Sequence, residues 1–317
     1  MGASGSKTNS GETKGPCGSY LNCDACGKCC ACKGDQVKQI VQKYGQSLLS
    51  KLGLNFSIED WVKAHSAGTE QENHSALEDL GTDLKKTNNM PTNLTRCVFI
   101  CCNTYTKPSY SLGVGPMNDS ITVATYLKTI GFKVYFIQNP TAAEFMKYFK
   151  YFMENTKEYL IVYYSGHGAS VDDKNGDEED GKDEALVFDD NFIIDDDLSE
   201  AIATCGKPAS SKICLFNDCC HSGTIYDLKA GSYNGRKMPE NIMSISAARD
   251  SETAKQTSVG GNDSGVFTFY FFKLLSQNEN LNAKTMGPQI EQYLKRFEQT
   301  YVCTSTSEEI LNEPLFS

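Results

Sequence analysis

The chain has 317 residues, of which 39% are hydrophobic and 22% are charged, and its formal net charge at pH 7 is −10. This composition is typical of a globular protein with a sizeable core, and it excludes a fibrous or intrinsically disordered chain. The negative charge also argues against nucleic-acid binding, which usually leaves a basic footprint. Thirteen acidic residues and two lysines lie between Asp172 and Asp197, so the rest of the chain is almost neutral and the acidity needs a local explanation.

Residues 1–35 form a Cys-rich extension for which we predict flexibility and no packed core. Six of the 14 cysteines lie between Cys17 and Cys32. The sequence shows neither a signal-peptide pattern nor a run of about 20 apolar residues, so we expect a cytoplasmic chain with reduced thiols. In that setting cysteines indicate metal binding, acylation or catalysis more than disulfides.

Two modifications compete for this extension. Gly2 lies in a Met-Gly-x-x-x-Ser pattern typical of N-myristoylation, and palmitoylation of the nearby cysteines would supply the second signal that peripheral membrane attachment needs. Alternatively, Cys23, Cys26, Cys29 and Cys32 bind Zn²⁺, although zinc sites normally use two cysteine pairs separated by a longer loop. A disordered reduced tail is the third alternative, and the sequence does not decide among them.

Residues 36–95 predict a helix followed by a polar linker. Apolar residues recur at helical spacing across 37–52, which indicates a helix with one apolar face. The segment 65–95 is polar and contains Gly68, Gly81 and Pro91, which favours a linker without regular structure.

The pattern from residue 96 to residue 317 is that of one α/β domain. Short apolar runs typical of buried strands alternate with amphipathic segments typical of helices, which predicts a mainly parallel central sheet with helices on both faces. The predicted strands span 97–101, 134–137, 159–164, 213–216 and 242–246, and the predicted helices span 118–130, 141–154 and 196–204.

A histidine and a cysteine follow two of these predicted strands. His167 lies in Tyr-Ser-Gly-His-Gly after strand 159–164, and Cys220 lies in Asp-Cys-Cys-His-Ser-Gly after strand 213–216. The carboxyl ends of parallel strands meet at one edge of a sheet, where sites form. A thiol attacks well as its thiolate, which a neighbouring base can generate. Taken singly, either residue has an ordinary structural explanation, but their joint placement favours a nucleophilic pair.

These motifs resemble the metacaspases, caspase-like cysteine peptidases of clan CD. The resemblance rests on the two motifs above and on the acidic run Gly-Asp-Glu-Glu-Asp-Gly-Lys-Asp-Glu at 176–184, and it extends from Arg96 to the C-terminus. It implies a caspase-like fold for residues 96–317 and peptide hydrolysis through an acyl-enzyme on Cys220. His167 would assist in forming the thiolate and protonate the leaving amine. The N–H groups of Gly168 and Cys220 would form the oxyanion hole.

The resemblance also implies a pocket for a cationic side chain. Metacaspases cleave after Arg or Lys, and a buried cation needs carboxylates beside it. The residues that match the family's pocket are Asp119, Ser165 and Asp218, although Asp119 has a second reading as a helix N-cap. The sequence departs from the family at Cys219, which is usually Ser, and at Pro116, which is often Cys.

The acidic segment becomes a candidate calcium site on the same resemblance. Oxygen-rich clusters suit Ca²⁺, but the spacing is not that of an EF-hand, and composition alone favours a solvated acidic loop. Calcium-dependent metacaspases carry ligands that match Asp183, Asp195, Asp196 and Asp227. Because three Asp residues are consecutive, a reading with Asp196 and Asp197 stays open.

A basic loop follows Asp227. It carries Lys229, Arg236 and Lys237, which are self-cleavage candidates in a protease of this specificity, and an exposed basic loop without such a role is an equal alternative. We therefore expect a monomeric, calcium-activated cysteine endopeptidase acting on proteins or peptides with Arg or Lys at P1. The alternatives are a clan CD peptidase of different P1 preference and a membrane-tethered, Ca²⁺-binding regulatory homologue without activity.

Overall fold

The computed structural model describes residues 68–172, 182–219, 225–226, 228, 231–246, 256–259 and 262–317. The Cys-rich extension and the predicted helix over 37–52 lie outside these residues. The strands are β1 Thr82–Asp83, β2 Arg96–Cys102, β3 Lys133–Gln138, β4 Tyr159–Ser165, β5 Gly168–Asp172, β6 Lys182–Val187, β7 Phe192–Ile194, β8 Lys212–Asp218, β9 Ser232–Tyr233, β10 Arg236–Lys237, β11 Ile242–Ser246, β12 Gln256–Val259, β13 Asn262–Gly265 and β14 Val302–Ser305. The helices are α1 Glu70–Leu80, α2 Gly115–Thr129, α3 Ala142–Asn155, α4 Asp195–Thr204, α5 Val266–Gln277, α6 Ala283–Leu294 and α7 Glu308–Asn312, with a 3₁₀ turn at Lys295–Phe297.

The central sheet has the strand order β1-β3-β2-β4-β8-β11-β14. Every neighbouring pair is parallel except β11 and β14, which are antiparallel. The predicted mainly parallel sheet is therefore confirmed, and the five predicted strands correspond to β2, β3, β4, β8 and β11. The predicted helices are confirmed as α2, α3 and α4, of which α2 begins earlier, at Gly115.

The sheet is buried on both faces because alternate residues of its strands enter two separate cores. In β2, Val98 and Ile100 pack with α1, α2, α5 and α6, whereas Phe99 and Cys101 pack with α3 and α4 on the opposite face. Such doubly covered strands need apolar side chains at every position, which explains their continuous apolar runs. Within the described ranges, no helix is long and apolar enough to span a bilayer.

The prediction of a linker over 65–95 was wrong for residues 70–83. Thr69 and Glu72 form a capping box that begins α1, and Leu77 and Leu80 of this helix are buried in the core. β1 then adds to the edge of the sheet beside β3. The helix is polar on most of its surface, so the capping box was its strongest sequence signal.

Candidate active site

The site begins where β4 and β8 end side by side. These two strands are parallel neighbours, and Ser165 at the end of one is paired with Asp218 at the end of the other. His167 follows the first strand by two residues, and Cys219 follows the second directly. The predicted nucleophile Cys220 lies outside the described residues. The two motifs were predicted to lie at one edge of the sheet, and His167 and Cys219 do lie there.

The half-buried His167 ring has one nitrogen held by the main chain. Its Nε2 lies 2.8 Å from the carbonyl oxygen of Tyr110, which precedes α2. A carbonyl oxygen can only accept a hydrogen bond, so Nε2 carries the proton in the neutral ring and Nδ1 has the free lone pair. The rings of Tyr105 and Tyr110 pack against the imidazole at centroid distances of 5.0 and 6.3 Å. The ring is therefore fixed in position and in tautomer.

The backbone of His167 is held by a tyrosine hydroxyl. Tyr105 Oη accepts the His167 N–H at 2.5 Å and donates to the Val187 carbonyl oxygen at 3.0 Å. Val187 N–H in turn donates to the His167 carbonyl oxygen. In an antiparallel ladder hydrogen-bonded and non-hydrogen-bonded pairs alternate, so in the next pair, Gly168 with Leu186, the Gly168 N–H points away from β6.

Gly166 has no room for a side chain. A Cβ at this position would lie 2.8 Å from Tyr105 Oη and 2.9 Å from both Asn103 Nδ2 and Tyr164 Oη. Three polar groups thus pack directly on the backbone that precedes His167. The glycine is required for this close approach rather than for flexibility.

Cys219 is buried on the face of the sheet that packs against α3 and α4, among Ile225, Tyr226 and Leu228. Only 1% of its surface is exposed. A substrate cannot reach that thiol, so of the two adjacent cysteines only Cys220 stays a candidate nucleophile.

The three predicted pocket residues lie close together below the strand ends, and all three are buried. Asp119, in the first turns of α2, accepts the Gly265 N–H with both carboxylate oxygens at 3.0 and 2.8 Å. Asp218 Oδ2 accepts from the Thr268 hydroxyl at 2.6 Å. The alternative reading of Asp119 as an N-cap was wrong, because α2 begins at Gly115 with Val114 as its cap.

Two further residues join these carboxylates. The Tyr163 hydroxyl is hydrogen-bonded to Thr268 Oγ1 at 2.9 Å and also to the Ser165 side chain. Gly265 separates the two acids, since a Cβ there would lie 2.2 Å from Asp218 Oδ2 and 3.0 Å from Asp119 Oδ2. Burial raises the pKa of Asp218, although the Thr268 hydroxyl opposes the rise. A positive charge beside Asp218 would therefore favour its ionised form. Sequence reasoning had not identified Tyr163, Gly265 or Thr268.

A second group of acids lies at the junction of β6 and α4. Asp183, Glu184 and Asp195 are all buried, and the Glu184 N–H donates to Asp195 Oδ2 at 3.3 Å. Burial raises the pKa of Asp195 to about 8, and the charges of Glu184 and Asp183 add to the rise. Glu184 was missed by sequence reasoning, although it directly follows Asp183. These carboxylates are hard oxygen donors of the kind that Ca²⁺ prefers, but among the described residues no three of them bring their ligand atoms within 4.8 Å of one another.

The other predicted calcium ligands differ in position. Asp196 Oδ1 accepts a hydrogen bond of 2.7 Å from the Tyr233 hydroxyl on β9, and Asp197 is exposed. The reading with Asp195 and Asp196 therefore agrees better with burial than the reading with Asp196 and Asp197. Asp227 lies outside the described residues.

The basic loop contains a short hairpin formed by β9 and β10, with Asn234 and Gly235 in its turn at φ values of 47° and 74°. Arg236 and Lys237 are exposed on it, and Lys237 Nζ lies 2.8 Å from Glu240 Oε1. Their exposure is compatible with cleavage, but the hairpin pairing must open first. Lys229 and Gly2 lie outside the described residues.

Comparison with known proteins places this site in a family. Residues 94–310 match the peptidase C14 family model, described as a caspase domain. Metacaspase III c of Phaeodactylum tricornutum is 36% identical over 115 residues, covering 32% of this chain and 34% of the relative. Metacaspase-1 of Lodderomyces elongisporus is 31% identical over 246 residues, covering 52% and 55%. Metacaspase-3 of Arabidopsis thaliana is 30% identical over 175 residues, covering 47% and 45%.

A solved structure also shares the fold. A protein of Geobacter sulfurreducens superposes with a TM-score of 0.55 at 18% identity, covering 70% of this chain and 98% of that one. The chain spans between a third and just over half of the length of the three metacaspases. These matches confirm the resemblance to metacaspases and the caspase-like fold class. Because the family model covers more than half of its residues, the chain belongs to the caspase-domain family of cysteine peptidases.

Proposed function

We propose that this chain is a calcium-activated cysteine endopeptidase that cleaves after Arg or Lys. The observation that carries the proposal is the position of His167. This residue follows β4, the parallel neighbour of β8, and its Nε2–H donates to the Tyr110 carbonyl oxygen. This bond leaves Nδ1 as the basic atom of a fixed ring. The main-chain carbonyl orients the imidazole as a third residue does in other catalytic triads.

The proposed reaction begins with proton transfer from the Cys220 thiol to His167 Nδ1. The thiolate attacks the scissile carbonyl carbon, and the carbonyl oxygen takes up negative charge that the N–H groups of Gly168 and Cys220 stabilise. The tetrahedral intermediate collapses as Nδ1–H protonates the leaving amine, which leaves a thioester on Cys220. Water, deprotonated by the same nitrogen, then hydrolyses this thioester and releases the acid product.

The buried acids support the preference for Arg or Lys. Asp218 has a raised pKa because it is buried, and a cationic substrate side chain beside it would favour its ionised form. A guanidinium or ammonium group would then form charge-assisted hydrogen bonds with Asp218 and Asp119. An acidic P1 side chain would instead add a third carboxyl group to this pocket. The Asp specificity of caspases is thus disfavoured.

Calcium activation is supported by the carboxylates between β6 and α4. Asp183, Glu184 and Asp195 are all buried, and Asp195 ionises with difficulty because of burial and because the charges of Glu184 and Asp183 act on it. Bound calcium would supply the positive charge that favours the ionised form of Asp195. Asp183, Asp195, Asp196 and Asp227 are the proposed ligands, and Glu184 is added to them from its burial beside Asp195. β6 packs on β5, the strand that follows His167, so order at this site is transmitted to the cleft.

One assay tests the catalytic assignment. Turnover of matched fluorogenic peptides with Arg, Lys or Asp at P1 is measured with Ca²⁺ and with a chelator. We expect cleavage of the Arg and Lys peptides, loss of activity in Cys220→Ala, and activity retained in the control Cys219→Ala, since the Cys219 thiol is buried in the core. Turnover that survives Cys220→Ala would contradict the nucleophile assignment.

The same assay separates the alternatives. Cleavage after Asp but not Arg would indicate a clan CD peptidase of other specificity. Calcium binding without any turnover would indicate the regulatory homologue. Turnover that ignores the chelator and is unchanged in Asp183→Ala would disprove the calcium role while leaving the catalytic pair intact.

A further inference from the structure

Three potential metal ligands meet between α1 and β1, the edge strand of the central sheet. His74 and Glu78 are four residues apart and so share one face of α1, and Asp83 lies on β1. One ligand atom from each of these side chains lies within 4.8 Å of the other two. The Asp83 side chain is 5% exposed and that of His74 is 18% exposed. These residues precede the segment 94–310 that matches the caspase domain.

The hydrogen bonds around His74 fix which of its nitrogens faces this group. Gln138 Nε2 donates to Glu70 Oε1 at 2.5 Å, so Gln138 Oε1 is the atom that faces His74 Nδ1, at 2.6 Å. An amide oxygen only accepts, so Nδ1 carries a proton. His74 Nε2 then lies 3.3 Å from Asp83 Oδ2. An imidazole lone pair and a carboxylate oxygen repel each other unless a positive charge stands between them.

Either a proton on His74 or a metal ion can supply that charge, and the geometry agrees with a metal ion. Two donor atoms about 2.1 Å from a tetrahedral zinc lie about 3.4 Å apart, which agrees with the 3.3 Å between His74 Nε2 and Asp83 Oδ2. The Nδ1–H donated to an amide oxygen is the outer contact that metal-bound histidines normally make. A single proton between these two atoms would leave Glu78 paired only with Lys86, whereas a metal uses all three donors.

We propose that His74, Glu78 and Asp83 bind a transition-metal dication such as Zn²⁺, which fastens α1 to the edge strand β1. The imidazole ligand favours zinc over calcium, which takes oxygen ligands. A tetrahedral ion would have three protein ligands and one water. Lys86 opposes binding, since its Nζ lies 2.5 Å from Glu78 Oε1, so the metal uses the other carboxylate oxygen or displaces the lysine. This site is independent of the proposed peptidase function.

The test counts zinc equivalents bound by the full chain, using competition with a chromophoric chelator. Wild type is compared with His74→Gln and Asp83→Asn, which keep all 14 cysteines, so zinc held by thiolates cancels in the difference. We expect each variant to bind one equivalent fewer, through at least a 100-fold loss of affinity at this site. The matched control Asp79→Asn removes one acid from the same helix and should keep the full number.

A second variant keeps all three ligands. Lys86→Gln removes the competing cation and should tighten zinc binding at this site about fivefold or more, and excess Ca²⁺ should not displace the zinc. Thermal unfolding should also show zinc stabilisation that Lys86→Gln enhances and His74→Gln abolishes. Equal zinc counts in wild type, His74→Gln and Asp83→Asn, or unchanged affinity in Lys86→Gln, would show that the cluster is only a His–Asp ion pair.

Discussion

Substitution of Gly265 by Ala should damage the substrate pocket from within. The added Cβ would lie 2.2 Å from Asp218 Oδ2 and 3.0 Å from Asp119 Oδ2, distances at which one carboxylate must move. Overpacking of this kind lowers the free energy of unfolding by about 1–3 kcal/mol. If Asp218 moves, the substrate loses a charge-assisted hydrogen bond of about 1.5–3 kcal/mol, which corresponds to about a 10- to 100-fold loss of kcat/KM for an Arg peptide.

Thermal unfolding and steady-state kinetics with Arg and Lys peptides measure the two effects separately. The matched control is Gly206→Ala, because a Cβ at Gly206 would have nothing within 4 Å. We expect the control to keep wild-type stability and kinetics. A Gly265→Ala protein with unchanged Tm and unchanged kcat/KM would refute the pocket geometry. A protein that loses stability but keeps its kcat/KM would refute the role of these acids in substrate binding.

Three further predictions concern the groups around the cleft. Tyr105→Phe leaves the main-chain N–H of His167, the proposed catalytic base, without its acceptor. We therefore expect about 1–3 kcal/mol less stability and a lower kcat. Tyr110→Phe keeps the carbonyl oxygen that binds His167 and should retain both values in unfolding and turnover assays. In the calcium-free folded protein the pKa of Asp195 is about 8, whereas in the unfolded chain it is near 3.8. The folded state therefore holds one more proton between about pH 4 and pH 8, and Tm should fall as the pH rises through this range. A plot of Tm against pH that is equally steep for Asp195→Asn would contradict this. Tyr233→Phe removes the hydrogen bond between the β9–β10 hairpin and Asp196, so the hairpin should open more easily. Self-cleavage after Arg236, detected by mass spectrometry, should then occur at a lower calcium concentration. An unchanged calcium requirement would show that opening of the hairpin does not limit self-cleavage.

The elements that could be predicted from the sequence are those whose pattern is local. Continuous apolar runs identified the five parallel strands because both faces of the sheet are buried, and the rule that parallel strands end at one edge identified the place of the site. The helix α1 was missed because its polar surface hides the two leucines, Leu77 and Leu80, that it buries. Strand β14 and helices α5 to α7 were also not predicted.

The groups that position His167, the proposed catalytic base, could not be predicted at all. The Tyr110 carbonyl oxygen carries no side-chain signal, since every residue has one, and it reaches the imidazole only because the loop before α2 folds over the end of β4. Gly265 and Thr268 meet the pocket acids from a segment nearly 50 residues beyond Asp218 in the chain. Contacts of such sequence separation are fixed by tertiary packing and not by any local pattern.

Part of the chain's negative charge comes from carboxylates that the fold buries. Asp218 in the pocket and Asp195 beside β6 are separate in the chain, yet burial raises the pKa of both. A buried acid with a raised pKa is stabilised by whatever brings positive charge to it. For Asp218 that charge is the proposed P1 side chain of the substrate, and for Asp195 it is the proposed calcium ion. The two sites therefore share one physical principle: burial disfavours the ionised form of each acid, and the cation proposed for each site would favour it.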